Sequence, residues 1–377
     1  MSAAVPIHKG QDFYVPAFEV WRLDKRRSLP ASVVRDVTQI SYTDSLDRID
    51  SYTLTLNNWD AERLALTEPL ALKYSDSDEF LPGVELEIFM GYFGRDPLRR
   101  MISGPITSAQ PSFPASGQPT LEIDGENLLR TLQNDKRSVA YRRMTDSEIA
   151  RAVGDRLGIA VKTDPDAEAA EERYGYILQD NRPSILFLLE RAHRIGYDLY
   201  VEEQPPERLL YFGPSLGVRR VTYRLTYGRS LVDFRPTLDT SDQVGEVTVR
   251  SWDNVNKRLI EHTARRRDLR TRGVGEAGEQ ERIERSFRQT REVLTSCPVQ
   301  TPQEARTVAT EALERNAKEM LTATGSTVGL PDLRAGSVVH IDGVGARYSG
   351  RYFVTGTTHG IGEGGYTTQF RCRREEI

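Results

Sequence analysis

The sequence predicts a mainly β protein, with two related β-barrels on either side of a small α/β insert. Three observations carry that expectation. Short runs alternating apolar and polar residues fill both ends of the chain, the period of half-buried strands. Helix-period stripes behind capping residues are confined to the middle and to one later segment. One pattern also occurs twice. Leu81-Pro82-Gly83-Val84-Glu85-Leu86-Glu87-Ile88 is closed by Ser103-Gly104-Pro105-Ile106-Thr107. Leu333-Arg334-Ala335-Gly336-Ser337-Val338-Val339-His340-Ile341 is closed by Ser349-Gly350-Arg351-Tyr352-Phe353-Val354-Thr355. In each, a glycine turn opens one strand and a Ser-Gly pair opens its return. Duplication and a turn grammar shared by many β proteins both explain this.

In chain order, residues 14–20 and 33–42 alternate as strands, and 51–58 runs into an Asn57-Asn58 turn. Residues 71–73, 84–92, 100–110 and 120–126 continue the pattern, making residues 1–130 the first barrel. Thr145-Asp146-Ser147-Glu148 reads as a capping box, followed by an Ile149, Val153, Leu157 stripe and a Gly158 stop. A second helix is expected to start at Pro183, face inward with Ile185, Leu188, Leu189, Ala192 and Ile195, and stop at Gly196. With strands at 197–201 and 209–212, residues 131–215 form the α/β insert. Strand grammar returns at 218–227, 244–252 and 257–264. A mobile loop is expected over about 265–295, centred on the Gly- and Glu-rich stretch 273–281. Thr301-Pro302-Gln303-Glu304 predicts another capping box, on a helix over about 302–322. Strands at 338–341, 351–358 and 366–372 complete the second barrel, residues 216–377.

Composition narrows the function. At 377 residues and 42.6 kDa, two or three domains can each hold a core. A formal net charge of -4 and a pI near 5.9 argue against a general nucleic-acid binder. Cys297 and Cys372 have no metal-ligand spacing and are expected to be reduced thiols. The first ten residues carry no secretory signal, and no window approaches the ~18 apolar residues of a membrane span. Synthesis in the cytoplasm, without membrane insertion, is therefore expected.

No catalytic constellation emerges. His8, His193, His262, His340 and His359 share no metal-ligand spacing, and HExxH, GxSxG and Walker patterns are missing. His193 is expected to be solvated, and His359 to hydrogen-bond at a strand end or in the core. Gly360-Ile361-Gly362-Glu363-Gly364-Gly365 lacks a following Lys and helix, and reads as a flexible hairpin loop rather than a phosphate cradle. The acidic stretches Asp76-Ser77-Asp78-Glu79 and Asp164-Pro165-Asp166 lack EF-hand spacing, and Arg265-Arg266-Arg267 reads as a solvated face or protein contact. The expectation is a protein that is not an enzyme, without metal or cofactor. Its sensitive positions are the structural turns Gly83, Gly104, Gly336 and Gly350. Gln at His193, His340 or His359 is expected to leave assembly intact.

Several stretches together resemble the phage late-control gene D family of tail-hub proteins. This architecture is shared by the head region of type VI secretion VgrG spikes and the hub of extracellular contractile injection systems. The resembling residues run from Ser41-Tyr42-Thr43-Asp44-Ser45-Leu46 through Ser51-Tyr52-Thr53-Leu54-Thr55-Leu56, then Phe80-Leu81-Pro82-Gly83 and Gly104-Pro105-Ile106-Thr107-Ser108. Tyr141-Arg142-Arg143-Met144-Thr145-Asp146, Leu188-Leu189-Glu190-Arg191-Ala192-His193-Arg194-Ile195-Gly196-Tyr197 and Gly350-Arg351-Tyr352-Phe353-Val354-Thr355 follow in order. The resemblance implies two tube-like barrels per chain and a homotrimer with pseudo-six-fold symmetry. Such a trimer would adapt a hexameric inner tube, or a tube initiator, to a separate trimeric spike among other baseplate proteins. It implies no specific nucleic-acid binding and a place in an assembled phage tail or injection particle. The alternative is a tail-associated cell-wall hydrolase or effector.

Overall fold

A computed structural model describes residues 5–6, 15–60, 72–94, 96–203, 208–214, 222–253, 256–269, 282–295 and 297–374. Along the chain come β1 (Val5–Pro6), β2 (Pro16–Arg22), β3 (Arg27–Ser28), β4 (Val37–Ser45), β5 (Ser51–Asn57), β6 (Glu85–Tyr92), β7 (Arg99–Ser112) and β8 (Thr120–Glu126). The middle holds β9 (Lys136–Tyr141), β10 (Val161–Thr163), β11 (Ile177–Pro183), β12 (Tyr197–Glu202) and β13 (Leu209–Pro214), with helices Asp146–Leu157 and Ser184–Arg194 among them. Next are β14 (Thr222–Thr226), β15 (Leu231–Leu238), β16 (Glu246–Asp253), β17 (Arg258–Arg265), β18 (Arg291–Leu294) and helix Pro302–Lys318. β19 (Leu321–Val328), β20 (Val338–Asp342), β21 (Gly350–Gly362) and β22 (Gly365–Arg374) finish the chain.

A six-strand unit occurs twice. Neighbours in the first run β2-β6-β7-β8-β5-β4, and in the second β14-β20-β21-β22-β19-β15, so strand rank and spatial order repeat together. The turns match bond for bond: Gly83 N–H donates to the Ile106 carbonyl (2.8 Å) and Ile106 N–H to Val84 (2.8 Å). Gly336 N–H donates likewise to Val354 (2.7 Å), and Val354 N–H to Ser337 (2.8 Å). Even the bulges repeat. The ladder slips by one residue after Ile106 in β7 and after Val354 in β21, and again between Val37 and Gln39 in β4 and between Leu231 and Asp233 in β15. One strand breaks the likeness, since β2 pairs antiparallel with β6 while β14 pairs parallel with β20. Equating Ile106 with Val354 places Gly104 opposite Tyr352 in the repeat, not opposite Gly350. Gly350 does open β21, but Ser103-Gly104 lies inside β7, which starts at Arg99.

The two units share one sheet. β4 of the first pairs antiparallel with the second half of β21, from Gly356↔Ser45 to Ile361↔Ile40. Alternation explains the layering: Tyr52, Leu54 and Leu56 of β5 point into the core while Ser51, Thr53 and Thr55 face outward. One core gathers Ile40, Leu54, Leu86, Ile88 and Ile123, and the other Leu225, Val339, Ile341, Val354 and Phe370. Each such side chain contributes about 1.5–3 kcal/mol through burial.

Between the units, Ile149, Val153, Leu188, Leu199 and Phe212 form the core of the middle segment. Its first helix is capped in both directions, with Glu148 N–H donating to Thr145 Oγ1 (3.2 Å) and Thr145 N–H to Glu148 Oε2 (3.0 Å). Gly158 ends it at φ 69°.

Several local expectations change. Residues 31–36 form a helix rather than the start of a strand, because Pro30 sets the extended entry and the chain turns before β4. Pro183 ends β11 opposite Lys136, so the second helix begins one residue later. The later helix stops at Lys318, and Leu321 opens β19, whose small residues hide its strand character. Its reciprocal cap is not made: Thr301 accepts from Glu304 N–H, but the Glu304 carboxylate takes Gln300 N–H (2.7 Å) and Arg194 (2.7 Å) instead. β16, β17 and β18 form a separate sheet with this helix packed on it through Val247, Val249, Ile260, Val308 and Leu313. Part of the expected loop is ordered, as the turn Arg266–Asp268 and β18. Residues 273–281, its centre, lie outside the described residues, as does residue 71 of the expected strand at 71–73.

Candidate assembly site

The seam between β4 and β21 concentrates the polar groups of the interior. Asp44 falls on the apolar phase of β4, after Ile40 and Tyr42, and is buried. Its carboxylate accepts from Ala335 N–H (3.0 Å), from Thr357 N–H (3.0 Å) and from the Thr357 hydroxyl. Arg334 crosses the other way, donating to the carbonyls of Arg100 (2.9 Å) and Met101 (3.1 Å) with its guanidinium 4.7 Å from the Tyr42 ring centre. Glu203, from the middle segment, accepts from Ser103 Oγ (3.3 Å) and through its carbonyl from Arg100 Nε (2.6 Å). Burial pushes the carboxyls of Glu203 and Asp50 above the usual carboxylate range. First unit, middle segment and second unit are thus fastened at one place.

His359 lies in the middle of β21 and is fully buried, not at a strand end. Leu333 O can only accept, so Nε2 carries the proton toward it (3.0 Å), and Nδ1 accepts from the hydroxyls of Tyr366 (3.0 Å) or Thr368 (3.1 Å). The neutral ring satisfies the site, and burial holds its pKa well below the ordinary value. The unfolded chain therefore binds the extra proton. Stability from His359 is complete above about pH 6.5 and is lost as pH falls, by up to ~1.4 kcal/mol per unit. Glu203 and Asp50, raised when folded, work in the opposite sense as pH approaches the carboxylate range. His359→Gln should lower stability at pH 7. It should also flatten the pH dependence between about pH 5 and 6.5 by one proton's worth. Thermal melts across that range check this; an unchanged slope would mean the ring is not neutral when folded.

Outward from the seam the same strands present hydroxyls and one side-chain amide. Ser41 and Thr43 on β4, Thr53 on β5, Thr358 on β21, Gln369 on β22 and Ser326 on β19 share one face. Thr43 and Thr358 touch through their hydroxyls (3.1 Å), and Thr53 donates to Asp124 (2.8 Å). Arg48, Arg235 and Arg371 border an open groove of about 590 Å³ on this face.

The expected turn residues occupy distinct settings. Gly83 and Gly336 adopt φ 93° and 84°, open to few residues besides glycine, and Gly350 adopts 143°. Gly104 is constrained by space, since a Cβ there would sit 1.9 Å from the Glu126 carbonyl oxygen. His193 is half-buried rather than solvated, which lowers its pKa, and His340 meets Asp342 (3.1 Å). Arg266 of the basic triplet is structural: it donates to Val244 O and Gln243 Oε1, and burial lowers its pKa to about 10. Glu79 is ion-paired with Arg22 and Arg27, Asp164 caps a short helix, and Gly365 closes a tight β21–β22 turn. Among the described residues, no group of three or more His, Cys, Asp or Glu is placed to hold a metal. No helix among them is long and apolar enough to cross a membrane.

Solved structures share this fold at low identity. A 43 kDa tail protein of prophage MuSo2 from Shewanella oneidensis aligns at 13% identity and a TM-score of 0.70, covering 95% of this chain and 98% of the other. A tail protein from Neisseria meningitidis aligns at 14% and 0.66, covering 96% and 97%. An Escherichia coli type VI secretion component, described as structurally similar to the T4 phage tail proteins gp27 and gp5, aligns at 10% and 0.54, covering 91% and 76%. No curated protein matches the sequence. The fold is therefore that of phage tail and type VI secretion components. A family model described as the Alg8 N-terminal domain matches residues 28–363, and the chain belongs to that family.

Proposed function

We propose that the chain is a structural baseplate hub of a contractile tail or injection system. Three copies place six tube-like barrels in a ring that meets a hexameric inner tube on one side and a separate trimeric spike on the other. The observation that carries this reading is the duplicated six-strand unit, repeated in strand order, hairpin bonds and bulges. A chain holding two equivalent units matches six-fold symmetry only in threes. The face that carries these hydroxyls, bordered by Arg48, Arg235 and Arg371, then lines the central passage. The likeness to late-control gene D hubs, and the fold shared with tail and secretion components, support the same assignment. No reaction is assigned to it. Light scattering of the purified chain is expected to give three times the 42.6 kDa chain mass, and with its spike that mass plus the mass of the spike trimer. A stable dimer with spike bound would overturn the hub.

A further inference from the structure

Within the chain, the first unit offers its outer strand β4 to the second half of β21. The equivalent outer strand of the second unit is β15, and the equivalent acceptor is β7 beyond Ile106. Among the described residues, residues 233–238 of β15 pair only with β19, and β7 beyond Ile106 only with β8. Building on the trimer proposed above, we infer that β15 of one copy pairs antiparallel with residues 108–113 of the next, repeating the β4–β21 seam between chains.

The register follows from the matched bulges. Ser41, Thr43 and Asp44 correspond to Arg235, Thr237 and Leu238, and Thr357, Thr358 and Gly360 to Ala109, Gln110 and Ser112. All but one of the rungs of the internal seam then have a fitting counterpart. The Ile40–Ile361 rung becomes Phe234 against Phe113, a ring now 55% exposed. The contacting Thr43–Thr358 rung becomes Thr237 against Gln110, both exposed and polar. Leu238 meets Ala109, apolar on apolar. Pro236 falls opposite Pro111, so that rung makes no backbone bond and the backbone pairing rests on the next hydrogen-bonding rungs, Phe234 with Phe113 and Leu238 with Ala109. Prolines on open edges also discourage indiscriminate strand addition before assembly. The contact is heterologous: each copy gives β15 and receives on β7, so it closes a ring or runs on.

Thr237→Cys together with Gln110→Cys tests the register, because opposed residues in antiparallel strands fall within disulfide reach. On mild oxidation the double variant should run as a covalent trimer on a non-reducing gel, and a mixture of the two single variants as a dimer. Neither single variant alone should cross-link, which controls for Cys297 and Cys372. Val232→Cys with Gln110→Cys, out of register, should not cross-link either. A double variant that is trimeric by light scattering but not cross-linked overturns the pairing and leaves the hub standing. A chain that stays monomeric and uncross-linked at its highest soluble concentration overturns both.

Discussion

Asp44→Ala is expected to loosen the two units from each other at a cost of about 3–5 kcal/mol. The substitution removes the acceptor for two buried N–H groups, of Ala335 and Thr357, and each stranded donor costs about 1–3 kcal/mol. It also leaves Arg334 beside the seam with one negative charge fewer. Asp44→Asn keeps one acceptor oxygen and should lose less. Asp47, exposed nearby, should tolerate Ala within about 0.5 kcal/mol. Urea denaturation compares all three through the midpoint at constant slope. A midpoint for Asp44→Ala within that of Asp47→Ala would show that the seam does not depend on this carboxylate.

The glycines separate space from backbone conformation. Gly104→Val should cost about 3 kcal/mol or more, because the new Cβ meets the carbonyl of Glu126 and then Asn127, all backbone that cannot swing aside. Gly83→Ala should cost only about 1–2 kcal/mol, since its Cβ meets nothing within 4 Å and the strain is that of a left-handed φ alone. Soluble yield and denaturation midpoints rank the two. Equal losses would mean that β7 and β8 can separate at Gly104 without penalty.

Much of this architecture was legible where alternation is clean. The strands at 51–57, 85–92 and 120–126 follow directly from period-two burial, and the Thr145–Glu148 cap is a local bond that needs no tertiary context. Strand β19, Leu-Thr-Ala-Thr-Gly-Ser-Thr-Val, carries few large apolar residues because Phe370 fills the space over Gly325, so it read as a helix end. β15 was missed because its Pro236 looks like a breaker, although an edge strand accepts one. The repeated hairpin pointed to duplication but gave the wrong alignment of Gly104, which only the bulge register corrects. The seam left one signal that sequence reading passed over: Asp44 occupies the buried phase of β4. Its partners Ala335 and Thr357 lie 291 and 313 residues away, at a distance that no local pattern spans.

The central claim is that two equivalent units in one chain assemble in threes into a six-unit ring. Electron microscopy of the purified assembly, averaged down its axis, addresses it most directly. The expected image is a ring of six similar densities around an open passage, with three-fold symmetry marked by the middle segments at alternate positions. A two-fold particle, or a ring whose count of units is not six, would contradict it.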